Sequence, residues 1–115
     1  MAEGGAAVRL LRPVRVLVAG HDAFLVDGLC HDLLRLGFQA MATTRAERVA
    51  KLAAIERVNV VIIEPSGGLA AAASLAGALD ELPHRVRVLF ACEPGSSAER
   101  LGYDTVDPEA SPAQL

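Results

Sequence analysis

The chain has 115 residues, 52% of them apolar, a net charge of −3, three Phe, one Tyr and no Trp. That is enough chain for one real core and little more. With an acidic balance, no basic run and few rings for stacking, the chain by itself is a poor partner for nucleic acid. No apolar run approaches the length needed to cross a bilayer as a helix.

Met1–Ala7 carries an acid and two glycines and lacks the charged start and apolar block of a leader. Residues 1–12 are expected to be a flexible tail, and 13–115 one domain. Arg9, Arg12 and Arg15 cluster there and read as a solvated flank. Val14–Ala19 is the first predicted strand, entered after Pro13. Gly20-His21-Asp22 makes the turn, and Asp22 is placed to cap the helix that follows. That helix is expected from Ala23 to Leu36. Leu25, Leu29, Leu33 and Leu36 form its apolar stripe, and Gly37 stands where a helix stops. Gly28 inside it costs about 1 kcal/mol relative to Ala, so a close approach of another backbone is expected there.

Phe38–Thr43 is the second predicted strand. Thr44-Arg45-Ala46-Glu47 has the form of a capping box and opens a helix over Arg45–Arg57, with Val49, Leu52, Ala53 and Ile55-Glu56 around its inner side. Val58–Glu64 is a run of β-branched residues without polar alternation, the pattern of a strand covered on both faces. Pro65 ends it, because it has no N–H to give to a ladder. Pro65–Gly68 is a loop, Leu69–Leu82 an alanine-rich helix stopped before Pro83, and Val86–Ala91 a fourth strand. Cys92–Gly95 is a turn, Ser96–Leu101 at most a short helix, and Tyr103–Asp107 a weak fifth strand. Ser111-Pro112-Ala113-Gln114 has the signals of a helix start. A helix so short cannot stand alone, so the fifth helix is expected to be truncated.

Strands and helices alternating in this way give an α/β fold. The expectation is a doubly wound, five-stranded parallel sheet in the order 2-1-3-4-5, with right-handed crossovers. In such sheets ligands and chemistry sit beyond the carboxyl ends of the strands. The central strand delivers a carboxylate, Glu64, to that edge.

With this order, the chain from about Val14 to Leu115 resembles the receiver domain of bacterial response regulators, most closely the NarL-type regulators with a helix-turn-helix output. Val14–Asp22, continuing to Val26-Asp27-Gly28-Leu29, is similar to that family's opening strand, acidic turn and first helix. Asn59–Glu64 is similar to its central strand. Leu101-Gly102-Tyr103 and Ala110–Leu115 are similar to its last strand and the entry to its fifth helix. The resemblance implies a flavodoxin- or CheY-like fold in a cytoplasmic signalling protein. It also implies a DNA-binding output domain outside this chain.

A working receiver moves a phosphoryl group onto an aspartate. It uses Mg²⁺ held by acids, a lysine against the phosphate charge and a hydroxyl that resets the surface. Carried over position by position, that equipment is missing. Gly20 and His21 stand where the two acids belong, with Asp22 beside them. Glu64 stands at the acceptor, Ala91 (or Cys92) at the hydroxyl, and Pro108 at the lysine. Mg²⁺ would find too few oxygen ligands, so no metal or other cofactor is expected. Glu64, one methylene longer than Asp, is expected to hold its carboxylate farther out. There it would either imitate a phosphate's charge or serve as a solvated strand end.

Other residues offer weaker alternatives. His21, Asp22, Glu64, Cys92 and Glu93 are expected to meet at one sheet edge, but their spacing matches no metal motif. A Cys92–His21 nucleophile lacks an orienting third residue. Gly67-Gly68 is too short to cradle a phosphate. His31 and His84 read as surface residues. Cys30 reads as a small packed hydrophobe, and neither cysteine has a CxxC partner, as expected of a reducing compartment. The functional expectation is a phosphorylation-independent, non-enzymatic regulatory module that forms homodimers. A small-molecule sensor using the altered crevice is the alternative, and a small α/β enzyme a weaker third.

Overall fold

The computed structural model describes residues 14–92, 96 and 102–107. Five strands form one parallel sheet in the order β2-β1-β3-β4-β5. They are β1 (Arg15–Gly20), β2 (Gln39–Thr43), β3 (Val60–Glu64), β4 (Arg87–Ala91) and β5 (Thr105–Val106). Helices α1 (Ala23–Arg35), α2 (Ala46–Ile55) and α3 (Leu69–Asp80) connect them, with a 3₁₀ turn over Pro65–Gly67 before α3. The predicted architecture and strand order are therefore those observed.

Strand alternation divides the core in two. Leu17, Ala19, Val61, Ile63 and Phe90 face α2 and α3, where Val49, Ala53, Ala72 and Leu79 meet them. Val16, Val18, Ile62, Leu89 and Ala91 face α1, meeting Val26 and Leu33. β1 and β3 are buried on both sides, which is why they are written in unbroken β-branched and aliphatic residues. Tyr103 stacks on Phe90, with ring centroids 4.6 Å apart and planes 9° from parallel, and so ties the approach to β5 onto β4. At the amino edge Arg15 acts as a clamp. Its backbone N–H donates to Asn59 Oδ1 at 2.9 Å, and its guanidinium reaches Gln39 Oε1 and the Glu56 carbonyl.

Several local expectations are corrected. The inward stripe of α1 is Val26, Leu29, Cys30 and Leu33, while Leu25 and Leu36 are exposed. The sequence allowed two overlapping stripes, and the crossing of α1 over β1 selected the other one. Gly28 brings no backbone close, since a Cβ built there meets nothing within 4 Å. Ile55 is 65% exposed and not part of the inner side of α2. The capping box does not form. Thr43 at the end of β2 accepts the Arg45 N–H at 3.1 Å, α2 starts one residue later, and its N-cap is Arg45, whose side chain makes no cap. His84 is half-buried and not a surface residue, with Nε2 3.1 Å from the Val58 carbonyl. The expected helix at Ser96–Leu101, apart from Ser96, and the helix start at Ser111–Gln114 lie outside the described residues.

Candidate functional site

The carboxyl edge of the sheet is where the fold gathers polar groups, and Glu64 is at its centre. It is the last residue of β3 and the register partner of Gly20, the last of β1. Alternation along β3 sends Glu64 to the α1 face, beyond Ile62. Its side chain does not reach outward. Glu64 is 6% exposed and is the one buried charged residue among those described.

The carboxylate accepts from three nearby donors. Oε1 accepts the Ser66 N–H at 2.6 Å. Oε2 accepts the Ser66 hydroxyl at 2.7 Å and the Asp22 N–H at 3.2 Å. Local chemistry explains the turn inward. Pro65 supplies no donor, so the first free N–H after the strand is that of Ser66, and the extra methylene lets the Glu64 carboxylate curl back over it as the cap of the 3₁₀ turn. Burying a charge is costly unless it is hydrogen-bonded, and among the described residues no buried side-chain polar atom lacks a partner. The expectation of an outward carboxylate is thus corrected.

Gly20 makes this arrangement possible. A Cβ on Gly20 would lie 2.6 Å from Glu64 Cβ, 2.8 Å from Oε2 and 2.9 Å from the Glu64 carbonyl oxygen. The ends of β1 and β3 converge there, so an acidic side chain at position 20 has no room. His21 is exposed, and the 3₁₀ turn packs on it closely enough that a Cβ at Gly67 would be 3.0 Å from His21 Cβ. Asp22 caps α1, its Oδ1 accepting from Phe24 N at 2.9 Å and Leu25 N at 3.4 Å. Ala91, at the end of β4, is buried on the α1 face and shares a groove with Glu64, Phe24 and Leu29.

The remaining candidates separate. The Cys92 thiol accepts the Ser96 hydroxyl at 3.1 Å and lies 3.6 Å from the Phe90 carbonyl, on the α2/α3 side of the sheet. Glu93 and Pro108 lie outside the described residues. Among the described residues, no three His, Cys, Asp or Glu come together as a metal-binding group. Cys30 packs against the α1-face core, and burial first, then the Asp27 carboxylate, pushes its thiol pKa up, as for an inert packed thiol.

The fold's usual Mg²⁺ does not fit these residues. A hard divalent cation needs several oxygens free to face it. Here the Glu64 oxygens point at three protein donors, the Asp22 carboxylate at two helix amides, and position 20 holds no side chain. The Gly20–Glu64 interlock was the feature that sequence reasoning missed. The available signal was Ser66, placed two residues after an acid that ends a strand, with Pro65 between them.

No protein-family model and no curated protein matches the chain. Solved structures do. The pseudo-receiver domain of the CikA protein superposes with a TM-score of 0.68 at 18% identity, over 89% of this chain and 90% of that one. A response regulator from Desulfuromonas acetoxidans gives 0.59 at 15% identity, over 89% of each chain. A response regulator receiver domain protein from Bacillus halodurans gives 0.56 at 12% identity, over 83% of this chain and 82% of that one. These likenesses establish the receiver fold. Among the described residues no helix is long and apolar enough to cross a membrane.

Proposed function

We propose, on the premise of a receiver fold whose acceptor edge is closed by its own side chains, that this chain is a regulatory domain working without phosphoryl transfer. The observation that carries it is Glu64, whose carboxylate is spent on Ser66 and Asp22 with Gly20 pressed against it. Phosphoryl transfer is achieved by positioning and charge neutralisation. An acceptor locked among donors and without room for metal-binding acids offers neither. Ala91 has no hydroxyl to pull on a phosphate. Pro108 would leave the lysine's role empty. The output is then contact between proteins, as the dimerising, NarL-like regulatory part of a transcription regulator that meets DNA through another domain.

Incubation with acetyl phosphate and Mg²⁺ is the direct test. Intact-mass spectrometry is expected to show no gain of a phosphoryl group. An acyl phosphate on Glu64 would overturn the reading.

Self-association has separate support. Phe24 is 85% exposed and Leu25 41%, side by side at the start of α1, beside the open groove over Gly28 and Leu29. Exposed apolar patches of this kind mark contact sites. Light scattering is expected to show a concentration-dependent dimer that Phe24→Asp abolishes. A monomer at high concentration would remove this part of the proposal and leave the part about phosphorylation standing.

A further inference from the structure

We infer that two copies of this chain pair through the outer face of α1, the two helices running antiparallel across a twofold axis at His31. This pairing gives a surface to the self-association proposed above, on which it rests. Val26, Leu29, Cys30 and Leu33 turn the inner face of α1 into the core. Phe24, Asp27, Gly28, His31, Leu34 and Arg35 recur at helical spacing on the side away from it, and all six are exposed. A solvated helix face is ordinarily polar. This one carries Phe24 and Leu34, at 85% and 52% exposure, and neither belongs to the packed core. Gly28 is a second, independent observation. It stands mid-helix, where glycine weakens a helix, and nothing in the chain approaches it, since a Cβ there would meet no atom within 4 Å. The gap leaves room for a side chain from outside.

The charges on this face identify the occupant as a second copy. Asp27 and Arg35 stand four residues before and after His31, and Gly28 and Leu34 stand three before and after it. At 1.5 Å per residue, the first two lie about 6 Å from His31 along the axis, in opposite directions. An identical helix laid antiparallel, with the two His31 residues level, reverses that order. Asp27 then meets the second copy's Arg35, and Arg35 meets its Asp27. Leu34 comes level with the second copy's Gly28, so each leucine has the other copy's gap to fill. Phe24, at the end of the stripe, is carried to the end of the other α1, beside the exposed Gly37. A parallel pair would instead set Asp27 against Asp27 and Arg35 against Arg35, and like charges across an interface are costly. The antiparallel contact is self-complementary and closes at two copies.

One helix pair is a small interface, so the dimer is expected to be weak and is measured by sedimentation of the full chain up to about 1 mM. Asp27→Arg and Arg35→Asp, both at exposed positions, are each expected to weaken it about tenfold. The double variant carrying both changes rebuilds the two contacts with their signs exchanged, and an equimolar mixture of the single variants rebuilds them between unlike chains. Both are expected to return to within about threefold of the parent Kd. Circular dichroism checks that each variant is folded. Should a charge-reversed chain fail to fold, Leu34→Asp, also at an exposed position, tests the same face and is expected to abolish the dimer. A dimer that withstands these substitutions, or that neither the double variant nor the mixture restores, would overturn the inference and leave self-association standing. A chain that stays monomeric throughout would remove both.

Discussion

Gly20→Ala is expected to destabilise the domain by about 3 kcal/mol, the upper end of the roughly 1–3 kcal/mol range for overpacking a tight site. At about 4 °C per kcal/mol for a domain of this size, Tm should fall by roughly 10 °C. The size of the effect follows from what the new methyl would meet. Two of the three nearest atoms, Glu64 Cβ at 2.6 Å and the Glu64 carbonyl oxygen at 2.9 Å, belong to or adjoin the backbone and cannot rotate away. Relief would require β1 and β3 to separate where Gly20 and Glu64 are in register. Glu64→Ala should not rescue the variant, because Cβ and the carbonyl remain. Gly20→Asp carries the same clash and adds a second carboxylate beside the first. A single acidic substitution at position 20 therefore does not create a metal site. Thermal unfolding of Gly20→Ala and Gly20→Asp within 1 °C of the parent would show the convergence of the strand ends to be wrong.

Glu64→Leu is expected to cost about 3 kcal/mol, as donors left without an acceptor cost about 1–3 kcal/mol each when buried and less where water reaches them. The two backbone donors, Ser66 N and Asp22 N, have no other assigned acceptor at this edge once the carboxylate is gone. Losing the cap should also loosen the 3₁₀ turn that leads into α3. Glu64→Gln keeps one acceptor oxygen and should lose about half as much, because its amide hydrogens would then face donors. A solvated strand-end carboxylate would behave differently, with substitutions there changing stability by only about 0.5 kcal/mol. Chemical denaturation separates the two readings, and a Glu64→Leu variant as stable as the parent would remove the structural role.

Much of the architecture was legible in the chain. The unbroken β-branched run up to Glu64 required a strand covered on both faces, and Pro65 fixed where it stops. The βα alternation then left one familiar order for a doubly wound sheet, and that order is observed. Asp22 was correctly read as a helix cap because its acceptor is local, two and three residues from its donors. Patterns with two solutions were less informative. In α1 both Leu25-Leu29-Leu33-Leu36 and Val26-Leu29-Leu33 satisfy helical spacing, and only contact with β1 and β3 selects the second. The Thr44-to-Glu47 pattern suggested a capping box, yet the helix begins after Arg45 with no side-chain cap, and it is Thr43, at the strand's end, that accepts the Arg45 N–H.

The sequence by itself determined the fold class, because periodicity and residue type are local properties. It also placed Glu64 at the end of the central strand. Only the tertiary structure decided which way that carboxylate points, because its partners Gly20, Asp22 and Ser66 come from two strand ends brought together by pairing across 44 residues of chain.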